Sequence, residues 1–149
     1  MDPFLELIID KFIFRVDPTC LYSTEGVWVK NIENKARLGL SDFLQQRSGD
    51  IAFVDIKKTG TELAVGDYFS TIETIKVNVD LTSPVSGKIV QLNPALQLAP
   101  ELINQDPYGE GWLCEVEMDD WNTDKLVLLD PCAYFEIMKR DAEEENKKL

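Results

Sequence analysis

The chain has 149 residues, 44% of them hydrophobic, which suits one domain with a modest core. Its 27 acidic and 15 basic residues give a formal net charge of −12. This charge repels phosphate backbones and anionic lipid, so we expect neither a nucleic acid nor a membrane surface as a partner.

The first 20 residues precede the part of the chain with clear strand patterns. Residues 4–14 mix apolar side chains with three charged ones, which fits a short amphipathic helix or an added arm docked on the domain. Asp17 and Pro18 form a turn that ends the segment. We therefore predict an N-terminal arm or short helix over residues 1–20.

Short segments that alternate in polarity and end at turn residues fill residues 21–130, which we predict to form one domain. This pattern is typical of antiparallel strands. Ser41 is a suitable N-cap for a short helix in between. In the segment from Trp112 to Met118, alternation predicts that Glu115 and Glu117 face water. The strands predict a mainly β fold, a flattened antiparallel sandwich with short helices.

Asp130 and Pro131 start the last predicted element. Asp is a favourable N-cap, and proline at the first helical position loses no hydrogen bond. We predict a C-terminal helix over residues 131–149 that packs on the domain. From Asp141 onwards the sequence is polar on all sides, so we expect this end of the helix to fray.

A lysine lies in the middle of an alternating stretch, residues 72–80. Pro84 and Gly87 then turn or bulge the chain into the next strand. This predicts two strands with Lys76 protruding between them. By composition alone, an exposed lysine is most often just a solvated charge.

The spacing around this lysine resembles a known modification site. Glu73 stands three residues before Lys76, and Pro84 of a Ser-Pro-x-Ser-Gly motif stands eight residues after it. This pattern resembles the lipoylation site of the H protein of the glycine cleavage system. Further similar stretches occur in the same order, so the resemblance covers roughly residues 22–135; they are residues 39–43, 49–51, 66–67 and 106–112.

The resemblance implies the fold and the cofactor. The fold would be the barrel-sandwich hybrid of lipoyl and biotinyl domains, and the cofactor lipoate, joined by an amide to Lys76. Biotinyl domains resemble lipoyl domains but carry methionines beside the lysine, where Ile75 and Val77 stand here. The resemblance also implies that Glu73 marks the attachment site and that Asp80 lies near the stored aminomethyl group.

The resemblance further implies a carrier with no catalytic activity of its own. Glycine decarboxylase would load an aminomethyl group on the arm, aminomethyltransferase would pass its carbon to tetrahydrofolate, and dihydrolipoyl dehydrogenase would restore the disulfide. A lipoate ligase or lipoyltransferase would attach the arm. We expect the carrier to be a monomer.

One position departs from the H-protein pattern. Where the pattern has His-Glu-Trp, with a glutamate that helps hold the aminomethyl ammonium, this chain has Gly26, Val27 and Trp28. Losing such a charge-assisted contact removes about 1.5–3 kcal/mol. A second reading is therefore an H-like lipoate carrier with another cargo, as in sulfur oxidation with a heterodisulfide-reductase-like complex. A third is an unmodified interaction module. A fourth, an enzyme with a lysine nucleophile, is weak because no pattern predicts a buried amine.

Histidine is absent, which removes the most common general base and zinc ligand, and we expect no catalytic or metal site. Cys20, Cys114 and Cys132 are too widely spaced for a metal knuckle. We predict packing roles for Cys114 and Cys132. Unpaired cysteines and an acidic N-terminus without a signal pattern favour an unprocessed protein in the reducing cytoplasm.

Overall fold

The computed structural model describes residues 3–148, which form strands and short helices followed by one long helix. The strands are β1 Leu5–Ile9, β2 Phe12–Val16, β3 Leu21–Tyr22, β4 Val27–Ile32, β5 Lys35–Leu40, β6 Ile51–Ile56, β7 Glu62–Leu63, β8 Tyr68–Thr74, β9 Asn78–Thr82, β10 Gly87–Leu92 and β11 Cys114–Met118. The α-helices are α1 Asp42–Ser48, α2 Leu102–Gln105, α3 Trp121–Asp124 and α4 Pro131–Lys147. Single 3₁₀ turns cover Pro94–Gln97 and Lys125–Val127.

Two antiparallel sheets enclose the main core. The larger sheet has the strand order β3-β4-β5-β11-β10-β7 and the smaller one the order β6-β8-β9. Leu38 and Ile89 of the larger sheet are fully buried in one cluster with Phe69, Ile72 and Leu81 of the smaller sheet. Strands β3 and β7 remain edges, so the larger sheet is open. The predicted mainly β sandwich is thereby confirmed.

A β-hairpin, made of β1 and β2, occupies the N-terminal segment. Its five-residue strands pair in register from Leu5–Val16 to Ile9–Phe12, and Asp10 in the turn between them has a φ of 52°. The helix alternative for this segment is therefore wrong. Apolar side chains alternate along both strands, and β-branched residues such as Ile9 favour extended backbone. Met1 and Asp2 of the predicted arm lie outside the described residues.

A second, largely aromatic cluster joins this hairpin to the domain. Phe14 meets the ring of Phe43 edge-on at a centroid distance of 5.3 Å, and Tyr22 stacks on Tyr134 of α4 at 4.4 Å. Hairpin, domain and helix share this cluster. The boundaries at residues 20 and 130 stay predictions.

Helix α4 starts as predicted and extends past Asp141. The Asp130 carboxylate accepts a hydrogen bond of 2.8 Å from the Ala133 N–H, and Pro131 follows the cap. The helix continues through Lys147, because Ala142 is buried and Glu145 forms an ion pair with α1. The frayed end from Asp141 stays a prediction; Leu149 lies outside the described residues.

Strand β11 shows where alternation misleads. Glu115 was expected to face water, but its side chain is buried and pairs with Arg37 of β5 at 2.9 Å. The Arg37 guanidinium in turn lies 4.4 Å above the ring of Trp112. Because the ion pair with Arg37 compensates the charge of the carboxylate, Glu115 tolerates a buried position that its type disfavours.

Candidate functional site

Lys76 lies at the tip of the β8–β9 hairpin. The connecting residues Ile75, Lys76 and Val77 are all exposed. The Thr74 hydroxyl accepts hydrogen bonds from the N–H groups of Lys76 and Val77, at 3.2 and 3.0 Å, and donates one of 2.9 Å to the Val77 carbonyl. One side chain thus uses its full hydrogen-bonding capacity to fix the turn. The lysine projects from an ordered base.

The Lys76 ammonium is accessible to a modifying enzyme. Within residues 3–148, no carboxylate oxygen approaches its Nζ to within the 4.0 Å of an ion pair. An amine that is neither buried nor ion-paired does not have to break a stabilising contact before it is acylated. This arrangement meets the steric requirement for a covalently attached arm.

Gly49 gives the lysine side chain room. A Cβ built on Gly49 would lie 3.0 Å from Cε of Lys76 and 3.7 Å from its Nζ. Gly49 also ends α1 with a φ of 92°, a conformation that glycine adopts without strain. The glycine therefore forms a shallow cradle for the aliphatic stem that would carry a lipoyl group, and the residues present fit such a group.

Glu73 and Asp80 lie on the outward face of the smaller sheet. In the register of β8 and β9, Glu73 pairs with Asn78 and Thr71 pairs with Asp80. The Thr71 hydroxyl donates a hydrogen bond of 2.8 Å to Asp80. The structure thus places both predicted acids on the hairpin that carries Lys76, and Asp80 in a fixed orientation.

Val27 is fully buried in the main core, where it pairs with Leu40 across β4 and β5. The position at which the H-protein pattern has a glutamate therefore contributes packing and offers no charge. Glu25, in the loop before β4, is exposed and accepts a hydrogen bond from the Thr82 hydroxyl of β9. Thr82 is two residues beyond Asp80, so its side chain points to the same face of the strand. Sequence reasoning missed Glu25 because 57 residues separate it from Thr82.

The cysteines divide by burial. Cys20 and Cys114 are buried, and desolvation raises the pKa of each thiol to about 12, so both remain protonated and inert at neutral pH. The packing prediction is confirmed for Cys114. It is wrong for Cys132, which is exposed beside the start of α4.

A family comparison covers most of the chain. The family model described as glycine cleavage H-protein matches residues 20–141. The chain belongs to the glycine cleavage H-protein family. The match leaves out the β1–β2 hairpin and the last residues of α4.

Individual relatives agree with this assignment. A glycine cleavage system H protein of Carboxydothermus hydrogenoformans is 38% identical over 122 residues, which are 82% of this chain and 93% of the relative. One from Chlorobium limicola is 42% identical over 119 residues, or 78% and 92% of the two chains. The crystal structure of a glycine cleavage system H protein from Mycobacterium marinum superposes with a TM-score of 0.71 at 26% identity, covering 80% of this chain and 95% of that one. The predicted family is confirmed.

Among residues 3–148, no three cysteine, aspartate or glutamate side chains are grouped as a metal ion would require. None of the described helices combines the length and the apolar character needed to cross a lipid bilayer.

Proposed function

We propose that this chain is a lipoyl carrier of the glycine cleavage system, with lipoate joined by an amide to Lys76. The observation that carries the proposal is the exposed lysine at a hairpin tip held by Thr74. Membership of the H-protein family supports it. Bound lipoate would supply a disulfide ring whose opening would free one sulfur to carry the aminomethyl group and leave the other as a thiol. The chain itself serves as carrier and catalyses none of the transfer steps.

The residues of the chain have distinct roles in this proposal. Lys76 provides the amine and loses its charge when the amide forms. Thr74 keeps the tip in one conformation, and Gly49 leaves space for the lysine stem. Glu73, exposed three residues before the lysine, is proposed to contribute to recognition by the lipoate ligase or lipoyltransferase.

The cargo needs a negative partner, because an aminomethyl group is protonated at neutral pH. Val27 offers none, but Asp80 and Glu25 both do, and Thr82 links Glu25 to the strand that carries Asp80. We propose that these two carboxylates stabilise the ammonium while the group is stored. A charge-assisted hydrogen bond of this kind contributes about 1.5–3 kcal/mol.

The proposed partners are glycine decarboxylase, aminomethyltransferase and dihydrolipoyl dehydrogenase. The net charge of −12 suits docking to basic surfaces on such enzymes. We propose that the chain acts as a monomer. The cytoplasm is its proposed location, since three unpaired thiols fit a reducing compartment.

Intact mass tests the attachment. After incubation with a lipoate ligase, lipoate and ATP, we expect one lipoyl increment, located in the peptide that contains Lys76. An unchanged mass with several ligases and with a lipoyltransferase would favour the unmodified interaction module instead.

A second candidate, a lipoyl carrier for sulfur-based cargo, is favoured by Val27 alone. Incubation of the lipoylated chain with glycine and the decarboxylase separates the two. We expect a mass increase on the arm, with faster loss of the group from Glu25→Gln and Asp80→Asn than from the unsubstituted chain. A lipoylated chain that gains no mass under conditions where another H protein does would support the second candidate.

A further inference from the structure

A cavity of about 270 Å³ lies directly beside Lys76. The β1–β2 hairpin, α1 and α4 form its walls, and Lys76 itself belongs to the lining. The attachment point that we propose for lipoate is therefore part of the wall of a half-open cleft. An arm attached to this lysine would begin at the cavity wall.

The cavity wall is mainly apolar. Ile9, Phe12 and Phe14 come from the hairpin, Phe43 from α1 and Ala142 from α4. A concave site with such a lining favours a ligand that is itself largely apolar. The hydrocarbon chain and dithiolane ring of a lipoyl group have this character.

Three of the polar side chains in the wall, Arg47, Glu145 and Gln46, already have partners. Arg47 pairs with Glu145 at 2.7 Å and lies over the ring of Phe43, with its guanidinium carbon 5.4 Å from the centroid. The Gln46 amide donates to the Ile13 carbonyl at 2.9 Å. Paired charges attract no further ion, so the cavity favours an uncharged ligand. Acylation of Lys76 would also remove the one cation in the wall that has no carboxylate within 4.0 Å among the described residues.

The segments that close this cavity lie outside the family match. The match spans residues 20–141, whereas Ile9, Phe12 and Phe14 precede it, and Ala142 and Glu145 follow it. The cavity therefore depends on residues that lie outside the matched region.

We propose that this cavity is a resting site for the lipoyl arm, built by the N-terminal hairpin and the end of α4. The inference rests on the proposed attachment to Lys76. Covalent linkage holds the arm beside the site at high effective concentration, so that even weak apolar contacts keep it occupied. Burial of its apolar surface favours the dithiolane in the cavity over water. A partner enzyme that docks at the exposed tip competes with the cavity for the arm. The arm thus alternates between a sheltered and a presented state.

Amide chemical shifts of the lipoylated chain test this proposal. With ¹⁵N-labelled protein of confirmed lipoyl mass, we expect lipoylation to shift the amides of Phe12, Phe14 and Ala142 as well as those of the hairpin tip. Shifts confined to residues 75–77 would overturn the resting site while leaving the attachment intact.

Matched tryptophan variants sharpen the test. Asn146→Trp places a large ring into the cavity, whereas Glu143→Trp places it on the exposed side of the same helix. We expect the first variant to lose the shifts at Phe12 and Phe14 and the second to keep them. Both variants losing them, or neither, contradicts the proposal.

Free lipoamide separates this inference from the proposed function. Added to the unmodified chain at millimolar concentration, comparable to the effective concentration of a tethered arm, it reports on the cavity whether or not a ligase acylates Lys76. We expect saturable shifts at the amides of Phe12, Phe14 and Ala142, absent from Asn146→Trp. An unchanged spectrum would show that the cavity does not accept the group, and a ligase reaction without mass increase would separately refute the attachment.

Discussion

Two β-hairpins in this chain perform opposite tasks. At the tip of the β8–β9 hairpin, Ile75 is 88% exposed and Lys76 projects into solvent. In the β1–β2 hairpin, Phe14 and Val16 are buried and hold the strands against α1 and α4. The same element presents a side chain in one case and covers a surface in the other. The strands of the first hairpin also bury Phe69, Ile72 and Leu81 in the main core, so only its tip is free to present a side chain.

The largest expected effect comes from removing the presented amine. Lys76→Arg keeps the positive charge but replaces the primary amine by a guanidinium that stays protonated and is not acylated. We expect lipoylation to fall below detection by intact mass. We also expect the free energy of unfolding to change by about 0.5 kcal/mol or less, because the site is exposed.

Lys58→Arg is the control for this change, since Lys58 lies in an exposed loop remote from the tip. It should be lipoylated fully. If Lys76→Arg still gains a lipoyl increment, the arm is attached to another residue. The proposal that the β8–β9 hairpin presents the attachment site would then be wrong.

Truncation of a buried side chain in the β1–β2 hairpin should lower the free energy of unfolding. Phe14→Ala removes a buried ring that meets Phe43 at 5.3 Å, and such truncations cost about 3–5 kcal/mol. Ile13→Ala, on the opposite face of the same strand where the side chain is 41% exposed, should cost much less. Denaturant unfolding measures both. Equal losses would mean that the hairpin does not pack through its inner face.

Local signals made part of the molecule predictable. The caps at Ser41 and Asp130 depend on residues three positions away, and both helices begin where expected. The Lys76 tip is set by its immediate neighbours. In the N-terminal segment, by contrast, apolar residues are so frequent that helical and extended spacing both fit, and only packing on α1 and α4 decides for strands.

Long-range pairing explains the rest of what sequence reasoning missed. Glu115 is buried because Arg37 lies opposite it on β5, and Glu25 reaches Thr82 across 57 residues. The cavity beside Lys76 combines side chains from both ends of the chain. No local pattern encodes such meetings, because they depend on how the two sheets and the helix are placed.

Filling the space between Gly49 and Lys76 should have a smaller effect. Gly49→Ala puts a Cβ 3.0 Å from Cε of Lys76 and also strains the backbone at a φ of 92°. Such strain costs about 1–3 kcal/mol. Gly60→Ala is a suitable control, because its φ of 95° is similar and nothing lies within 4 Å of its Cβ. We expect both variants to lose stability, and only Gly49→Ala to shift the Lys76 amide and slow its lipoylation. Identical lipoylation rates would mean that Gly49 serves the turn alone.

The smallest expected effect concerns the hydroxyl that orders the tip. Thr74→Val keeps the β-branched shape but removes the group that accepts from the Lys76 and Val77 N–H groups. The tip is exposed, so water replaces the lost bonds, and we expect a cost of about 0.5–1.5 kcal/mol. Thr71→Val is the matched control on the same strand, where the hydroxyl bonds Asp80 instead. Hydrogen exchange of the Lys76 and Val77 amides should accelerate in Thr74→Val and not in Thr71→Val. Since a ligase must bind the lysine in one conformation, a looser tip should also be lipoylated more slowly, and unchanged exchange would show that the strands alone hold Lys76 in place.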